Sequence, residues 1–316
     1  MNINYRKYEP NQGLEEIQAE IWLNAQQRFG DSYYSLPSLD RVIQQIKTRN
    51  ETDKPDENGM LYAFTEDGKP LAYVQSHMAS RFNATEISFP WAVEDCPREV
   101  QDKLFNKIFN YISERDKNMG DDHQIIVGGG IRADWKHGTE FLKSHGFEPT
   151  TTYLTYKYNI ESFELEDKEK FTLKKGDLTN EQDLTSLMDL GMVDETALLA
   201  FGNEETLKNY YKRIQEFPLK VLLIFEKDLI VAAGAVRIEE NRDPTVQFTF
   251  YRPGHEPAWH LLMIKISKMA FDKTQRSLLC TYEDGPTKEF EMVRDLEKAG
   301  HAESVSKSYR FTFSKS

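Results

Sequence analysis

The residues best suited to chemistry lie in two short stretches, each just before a helix signal. Arg252, Gly254 and His255 stand immediately ahead of Pro257, and proline suits a first helical turn because its missing N–H has no intrahelical partner there. A cation, a pliable backbone and an imidazole at a helix N-terminus form an arrangement suited to phosphate. In the first half Arg98 follows Pro97 within C-P-R-E-V-Q-D-K-L-F (Cys96–Phe105), but Glu94, Asp95 and Glu99 crowd the same start with negative charge, which Arg98 and Lys103 partly offset. Glu94 and Asp95 are candidate general bases, and they fit a solvated strand end or a helix cap equally well. The seven histidines are scattered, and His255 and His260, five residues apart, miss a common helical face, so no metal site is expected. Gly128-Gly129-Gly130 lacks dinucleotide-binding spacing and reads as a tight connection.

The elements that must position these residues occur twice. In Thr139–Tyr158 a short amphipathic helix carrying Phe141 and Leu142 runs into Gly146 and Phe147, and a strand rich in β-branched and aromatic residues follows from Thr151. Glu289–Phe313 repeats the unit, with Met292 and Leu296 one helical turn apart and Gly300 as the stop, 154 residues after Gly146. Pro257 follows Pro97 by 160 residues, and the turn residue Glu226 follows Glu66 by the same interval.

The first half reads as helices over Leu14–Arg28 and Leu39–Lys47, a polar loop over Arg49–Asn58, and strands over Met60–Thr65, Pro70–His77 and Ala84–Val93. A helix follows from Pro97, with Leu104, Phe105, Ile108, Phe109 and Ile112 on its apolar face, then a strand over Gln124–Val127. The second half gives helices over Asp183–Leu190 and Glu204–Gln215, strands over Val221–Phe225, Ile230–Ile238 and Thr245–Tyr251, a helix from Pro257, and a strand over Ser277–Thr281. The expected organisation is α/β, with an N-terminal domain over 1–160, a charged linker over 161–175 and a C-terminal domain over 176–316.

Composition narrows the partners. The chain has 316 residues and a net charge of −12, from 52 acidic against 40 basic residues, which argues against a nucleic-acid partner. Hydrophobic residues at 39% supply two cores. Cys96 and Cys280 sit in different halves, as in a reducing compartment, and no apolar run reaches a membrane span, so the expected location is the cytoplasm.

The doubled order of two helices, hairpin, strand, long helix, strand, short helix ending in Gly, and strand resembles the GNAT superfamily of acyl-coenzyme-A-dependent N-acyltransferases. The duplication resembles its tandem-domain members, the group that includes mycothiol synthase. The resemblance implies two GNAT-like domains, each a mixed, largely antiparallel twisted sheet flanked by helices, and transfer of an acetyl group from acetyl-CoA to an amine of a small molecule or peptide. It implies that the donor's pantetheine arm lies along a strand, at Phe250 and Tyr251 with the diphosphate beside Arg252, Gly254 and His255, or at Trp91, Ala92 and Val93 with Arg98. The second half is the expected site, because the first surrounds its helix start with carboxylates.

The chain departs from the family pattern. The family's phosphate turn reads Arg or Gln, two residues, Gly, one residue, Gly or Ala; the first half has no glycine there, and the second has Glu256, Pro257 and Trp259 in place of Arg, Gly and Gly. The tyrosine that serves many relatives as the acid for the leaving thiolate is replaced by Leu142 and Leu296. No catalytic residue is assigned. A catalytically inactive binding or interaction protein on the same scaffold is the alternative.

Overall fold

The structure, a computed structural model, describes residues 2–30, 36–53, 59–79, 83–120, 122–127, 130–159, 170–239 and 243–313. Two compact units divide the chain: Met1–Tyr153 with Lys307–Ser316, and Leu154–Ser306.

The first unit contains β1 (Ile3–Lys7), α1 (Leu14–Phe29), α2 (Leu39–Asp53), β2 (Met60–Thr65), β3 (Pro70–Ala79), β4 (Ala84–Ile87), β5 (Trp91–Ala92), α3 (Arg98–Arg115), β6 (Gln124–Val127), β7 (Ile131–Arg132), α4 (Lys136–Ser144) and the opening half of β8 (Phe147–Tyr158). Strands β1 to β4 pair antiparallel in chain order, and β4 pairs parallel with β6 from Ala84↔Gln124 to Ile87↔Val127. Leu104, Phe105, Ile108 and Ile112 of α3 close one face of the sheet with Phe141, Leu142 and Phe147. On the other face Leu14 and Ile21 of α1 meet Tyr62, Phe64 and Tyr73. Gly146 at φ 81° ends α4, where its N–H reaches back to the Lys143 carbonyl, so the expected left-handed stop is present.

The second unit runs from the end of β8 through β9 (Phe171–Gly176), α5 (Glu181–Gly191), α6 (Glu195–Phe201), α7 (Glu204–Ile214), β10 (Leu219–Glu226), β11 (Leu229–Arg237), β12 (Thr245–Tyr251), α8 (Glu256–Thr274), β13 (Leu279–Glu283), α9 (Lys288–Lys298) and the opening of β14 (Ala302–Phe313). Its sheet is antiparallel in the order β12-β11-β10-β9. Gly300 at φ 78° ends α9 as Gly146 ends α4. The element order of the first unit thus recurs, from a first strand to a closing helix, glycine and strand.

Several boundaries differ from the sequence reading. The strand expected over Ala84–Val93 breaks after Ile87: Ser88 hydrogen-bonds Gln75 through both its N–H and its hydroxyl, and Pro90 has no N–H to continue a ladder. Helix α2 continues through the stretch read as a loop, and residues 54–58 of that loop lie outside the described residues. Pro97 is the N-cap of α3 rather than its first helical residue. Of the linker, 161–169 lies outside the described residues, as do Gly128 and Gly129, while Phe171–Gly176 pairs with β10 and is a strand. The C-terminal residues also fall differently. From Lys307 onward β14 belongs to the first unit, where Thr312 pairs with Ile126 and Ser308 with Arg132. Strands β1 and β7 and helix α6 had no counterpart in the sequence reading.

A buried polar knot ties α3 to the sheet. Asp116 accepts hydrogen bonds from Thr85 (2.5 Å) and Arg115 (2.7 Å), with His123 Nε2 3.3 Å away. Burial works to raise this carboxyl's pKa, but the hydrogen bonds from Arg115 and Thr85 outweigh it and the net shift is downward. Its stabilisation is therefore full above the ordinary aspartate range and is lost as pH falls through the lowered folded value. Asp116→Asn is expected to cost about 3 kcal/mol in urea unfolding at pH 7 and to flatten the acid limb of the stability profile. An unchanged acid limb would assign the knot no such role.

Candidate functional site

A cavity of about 450 Å3 opens in the first unit between the α1–α2 pair and the sheet. Strand alternation builds its floor. Tyr73, Gln75 and His77 project from one face of β3, Glu86 from β4, and Ser88 and Trp91 from the stretch beyond; Trp22, Ile46 and Arg49 come from the helices. His77 and Glu86 are direct cross-strand partners, with Nε2 and Oε2 3.6 Å apart. Gln75 Oε1 accepts from Gln18 Nε2 (2.8 Å) and from Arg49 (3.0 Å). The Trp91 ring is fixed by a parallel stack on Trp135 at 5.7 Å, and Trp135 stacks in turn on Phe29 at 5.0 Å. Gly138 leaves room for this, since a Cβ there would lie 2.4 Å from the Trp135 ring.

The cavity reaches Gly130 and Ile131 and so touches the place where two strands part. Up to Ile87, β4 follows β6; beyond it, among the described residues, β5 pairs with β3. Val93 N–H donates to the Leu71 carbonyl at 2.9 Å, so Ala92, and Pro90 two residues before it, turn their backbone groups away from β3. The carbonyls on that outward edge are taken by the chain's own side chains. Gln101 Nε2 donates to the Pro90 carbonyl (2.9 Å) and Arg28 to the Ala92 carbonyl (2.7 Å).

The second unit repeats the backbone with different contents. Arg252 N–H donates to the Val231 carbonyl at 2.8 Å, which makes Arg252 the counterpart of Val93 and Tyr251 that of Ala92. The outward N–H of Tyr251 donates to Asp194 at 2.9 Å, and the same carboxylate caps α6 through Ala197 N–H at 2.7 Å. Asp194 is 1% exposed, and burial raises its pKa against the pull of these two bonds. Around Tyr251 the field is negative: burial first, then the carboxylates Glu289, Asp194, Glu256 and Glu195, push its phenol pKa up. The sheet face that is hollow in the first unit is filled here. Ala233 and Ala235 stand where Tyr73 and Gln75 do, packed beneath Leu187, Leu207, Tyr211, Phe248 and Phe250.

The residues expected to hold an acyl donor are therefore placed as follows. Phe250 and Tyr251 are buried core residues. Arg252 Nε donates to the Ile230 carbonyl (3.3 Å), Gly254 N–H to Glu256 (3.3 Å), and His255 Nε2 faces Glu226 at 3.2 Å. His255 Nδ1, Trp259 Nε1 and His260 Nε2 are buried with no hydrogen-bond partner, yet the surrounding carboxylates oppose a diphosphate. Arg98 turns from the start of α3 toward Asp102 (2.9 Å), Ser144 (3.0 Å) and the Phe141 ring (4.2 Å). Trp91 does line a cavity, while Ala92 and Val93 are held by Arg28 and Leu71. At each helix start the arginine, Arg98 or Arg252, gives at least one N–H to an acceptor of the protein itself. Glu94 and Asp95 are exposed on the turn before α3 and do not line the cavity.

Burial pushes the thiols of Cys96 and Cys280 up to about 11 and about 12, so neither is a thiolate nucleophile at neutral pH. Among the described residues no three His, Cys, Asp or Glu side chains converge as metal ligands, and no helix is long and apolar enough to cross a membrane. Sequence reasoning missed Trp22, Arg49, Gln75, His77 and Glu86. Their signal was polar residues at alternate positions in strands that a helix pair covers.

The sequence matches no protein-family model and no curated protein sequence. The fold does have counterparts. A GCN5-related N-acetyltransferase from Sphaerobacter thermophilus superposes with a TM-score of 0.67 at 15% identity, covering 98% of this chain and 95% of that one. A tandem GNAT protein from the clavulanic acid biosynthesis pathway gives 0.63 at 8% identity, with 98% of each chain covered. A GNAT-family acetyltransferase from Colwellia psychrerythraea gives 0.59 at 11% identity, covering 98% and 100%. The chain has the GNAT fold, in the duplicated arrangement that the sequence resemblance implied.

Asp194 uses both oxygens on backbone N–H groups. In Asp194→Asn one oxygen becomes an NH2 group that faces an N–H it cannot accept. The substitution is therefore expected to destabilise the second unit by about 1–3 kcal/mol in denaturant unfolding, despite asparagine's aptitude as a helix cap. A cost near zero would mean that the strand contact carries no weight.

Proposed function

We propose that this chain is a small-molecule-binding protein on a duplicated GNAT scaffold, with the first-unit cavity as its ligand site and both acyl-donor grooves closed by the chain's own side chains. The observation that carries this reading is the contrast between equivalent sheet faces. In the second unit the face under the helices is packed with apolar side chains, whereas in the first only the part against Leu14 and Ile21 is packed and the rest is a hollow lined by Tyr73, Gln75, His77 and Glu86. Interiors pack densely and an unfilled hollow is destabilising, so a polar hollow of ligand size fits a binding role. Glu86 and the faces of Trp22 and Trp91 suit an amine, by charge and by cation–π attraction.

Acyl transfer from acetyl-CoA to a small-molecule or peptide amine is the second reading, and the Glu86–His77 pair favours it. A carboxylate beside an imidazole near the strand parting is placed to take the proton that an attacking ammonium must lose. That reading is weaker at the donor. Pro90 has no N–H to offer a carbonyl oxygen, Ala92 and Tyr251 are engaged on the edge where an arm would lie, and Leu142 and Leu296 supply no acid.

Calorimetric titration separates the two. Acetyl-CoA is expected to give no binding tighter than about 1 mM (about −4 kcal/mol), while small amines raise the melting temperature of the full chain. Micromolar acetyl-CoA binding with acetylation of an amine would overturn the closed-groove reading, and Glu86→Gln should then lower kcat by about 100-fold or more. Absence of any stabilisation by amines would overturn the binding reading itself.

A further inference from the structure

The cavity has two charged poles, set at opposite ends of one polar strip. At one end stands Arg49, whose guanidinium spends one N–H on Gln75 Oε1 (3.0 Å) and whose planar fork offers further donors. Its charge reaches the cavity floor, since it lowers the phenol pKa values of Tyr62 and Tyr73 against the larger raising effect of burial. At the other end stands Glu86, 3.6 Å from His77. Gln75 and His77, the residues that these poles touch, are alternate residues of β3, whose Cα atoms lie about 7 Å apart. The remaining polar groups among the described lining residues, Gln18, Gln26, Gln45, Tyr73 and Ser88, are uncharged, so Arg49 and Glu86, with the His77 imidazole beside it, set the polarity of the described lining.

Taking the first-unit cavity as the ligand site proposed above, we infer that its ligand is a zwitterion of the α-amino-acid class, with carboxylate at Arg49, amine at Glu86 and an apolar or flat side chain against Trp22 and Trp91. The spacing suits it. A carboxylate and an amine on one carbon reach two partners about 7 Å apart when each hydrogen bond spans about 3 Å. A guanidinium fork grips a carboxylate at two points, which a hydroxyl or a second amine cannot match. A simple amine would leave Arg49 without an anionic ligand group, and a simple acid would leave Glu86 with the His77 imidazole alone beside it. The Trp91 ring, held in its stack on Trp135, offers a preformed face to the side chain.

The test uses the full chain and three probes of one shape: L-phenylalanine, phenethylamine without the carboxylate, and 3-phenylpropionate without the amine. Calorimetry is expected to show phenylalanine binding at least about tenfold tighter than either truncated probe. Arg49→Glu should abolish phenylalanine binding and spare or strengthen phenethylamine. Glu86→Gln should weaken phenylalanine and phenethylamine and spare phenylpropionate. Both positions are at least partly solvent-exposed, and an unchanged melting temperature without ligand checks that each variant folds. Phenethylamine binding as tightly as phenylalanine would overturn the zwitterion assignment while leaving the cavity as an amine site. Failure of all three probes would overturn the assignment, and if other amines also failed to stabilise the chain, the binding reading would fall with it.

Discussion

Where a strand's pairing on one side stops, the backbone groups on that edge lose their ladder, and buried groups of this kind must find partners. The whole architecture turns on how this chain answers that requirement. An extended ligand laid along such an edge can pair with it as an added strand would. Here side chains take that place. Gln101 reaches from α3 to the Pro90 carbonyl, Arg28 from α1 to the Ala92 carbonyl, and Asp194 from the cap of α6 to the Tyr251 N–H. Each donor or acceptor sits on or caps a helix, so satisfying the edge also helps to fix that helix, and for Arg28 it is α1, which walls the cavity.

The two units show how one backbone plan yields unlike contents. Ala233 and Ala235 are small enough to let Leu187 and Leu207 settle onto the sheet, and Gly191 brings α5 close enough that a Cβ there would lie 2.6 Å from Leu207. In the first unit the matching positions carry Tyr73, which packs against Leu14 and Ile21 of α1, and Gln75, which hydrogen-bonds Gln18, and beside them a hollow is left that Trp22 also lines. The difference is one of side-chain volume and hydrogen-bonding need at a few strand positions. No change of topology is required.

Much of the architecture was legible because its signals are local and repeated. A glycine in the left-handed conformation after an amphipathic helix, and a hairpin between two alternating strands, give the same reading wherever they occur, and both recurred at a nearly constant interval. Short elements were lost: β7 has two residues and pairs with a strand at the far end of the sequence, so no local pattern could announce it. The end of β14 packs with the first unit for the same non-local reason. The site was less legible. Arg252, Gly254 and His255 have the residue types of an anion site, but the sequence could not tell that Glu226, Glu256 and the main chain would claim their donors. Conversely, Arg49 read as the start of a loop, and only the continuation of α2 carries it over the cavity.

The closures differ in depth, which bears on whether either groove could reopen. Arg28 is half-buried and long, and its contact with the Ala92 carbonyl is a single hydrogen bond, of the kind worth about 1.5–3 kcal/mol with a charged partner. A ligand that replaced that bond could displace it with modest loss. Pro90 is a harder limit, because no rearrangement gives a proline an N–H. In the second unit the Asp194 carboxylate holds the Tyr251 N–H with one oxygen and caps α6 with the other, so withdrawing the side chain would strip two buried backbone N–H groups of their partner. On the reading proposed above, the second groove is closed by an interaction the fold itself uses, while the first is closed partly by a movable side chain and partly by the covalent chemistry of one residue. What remains open in this chain is the space above the strands rather than the gap between them, and the polar side chains that line that space are the ones free to meet a ligand.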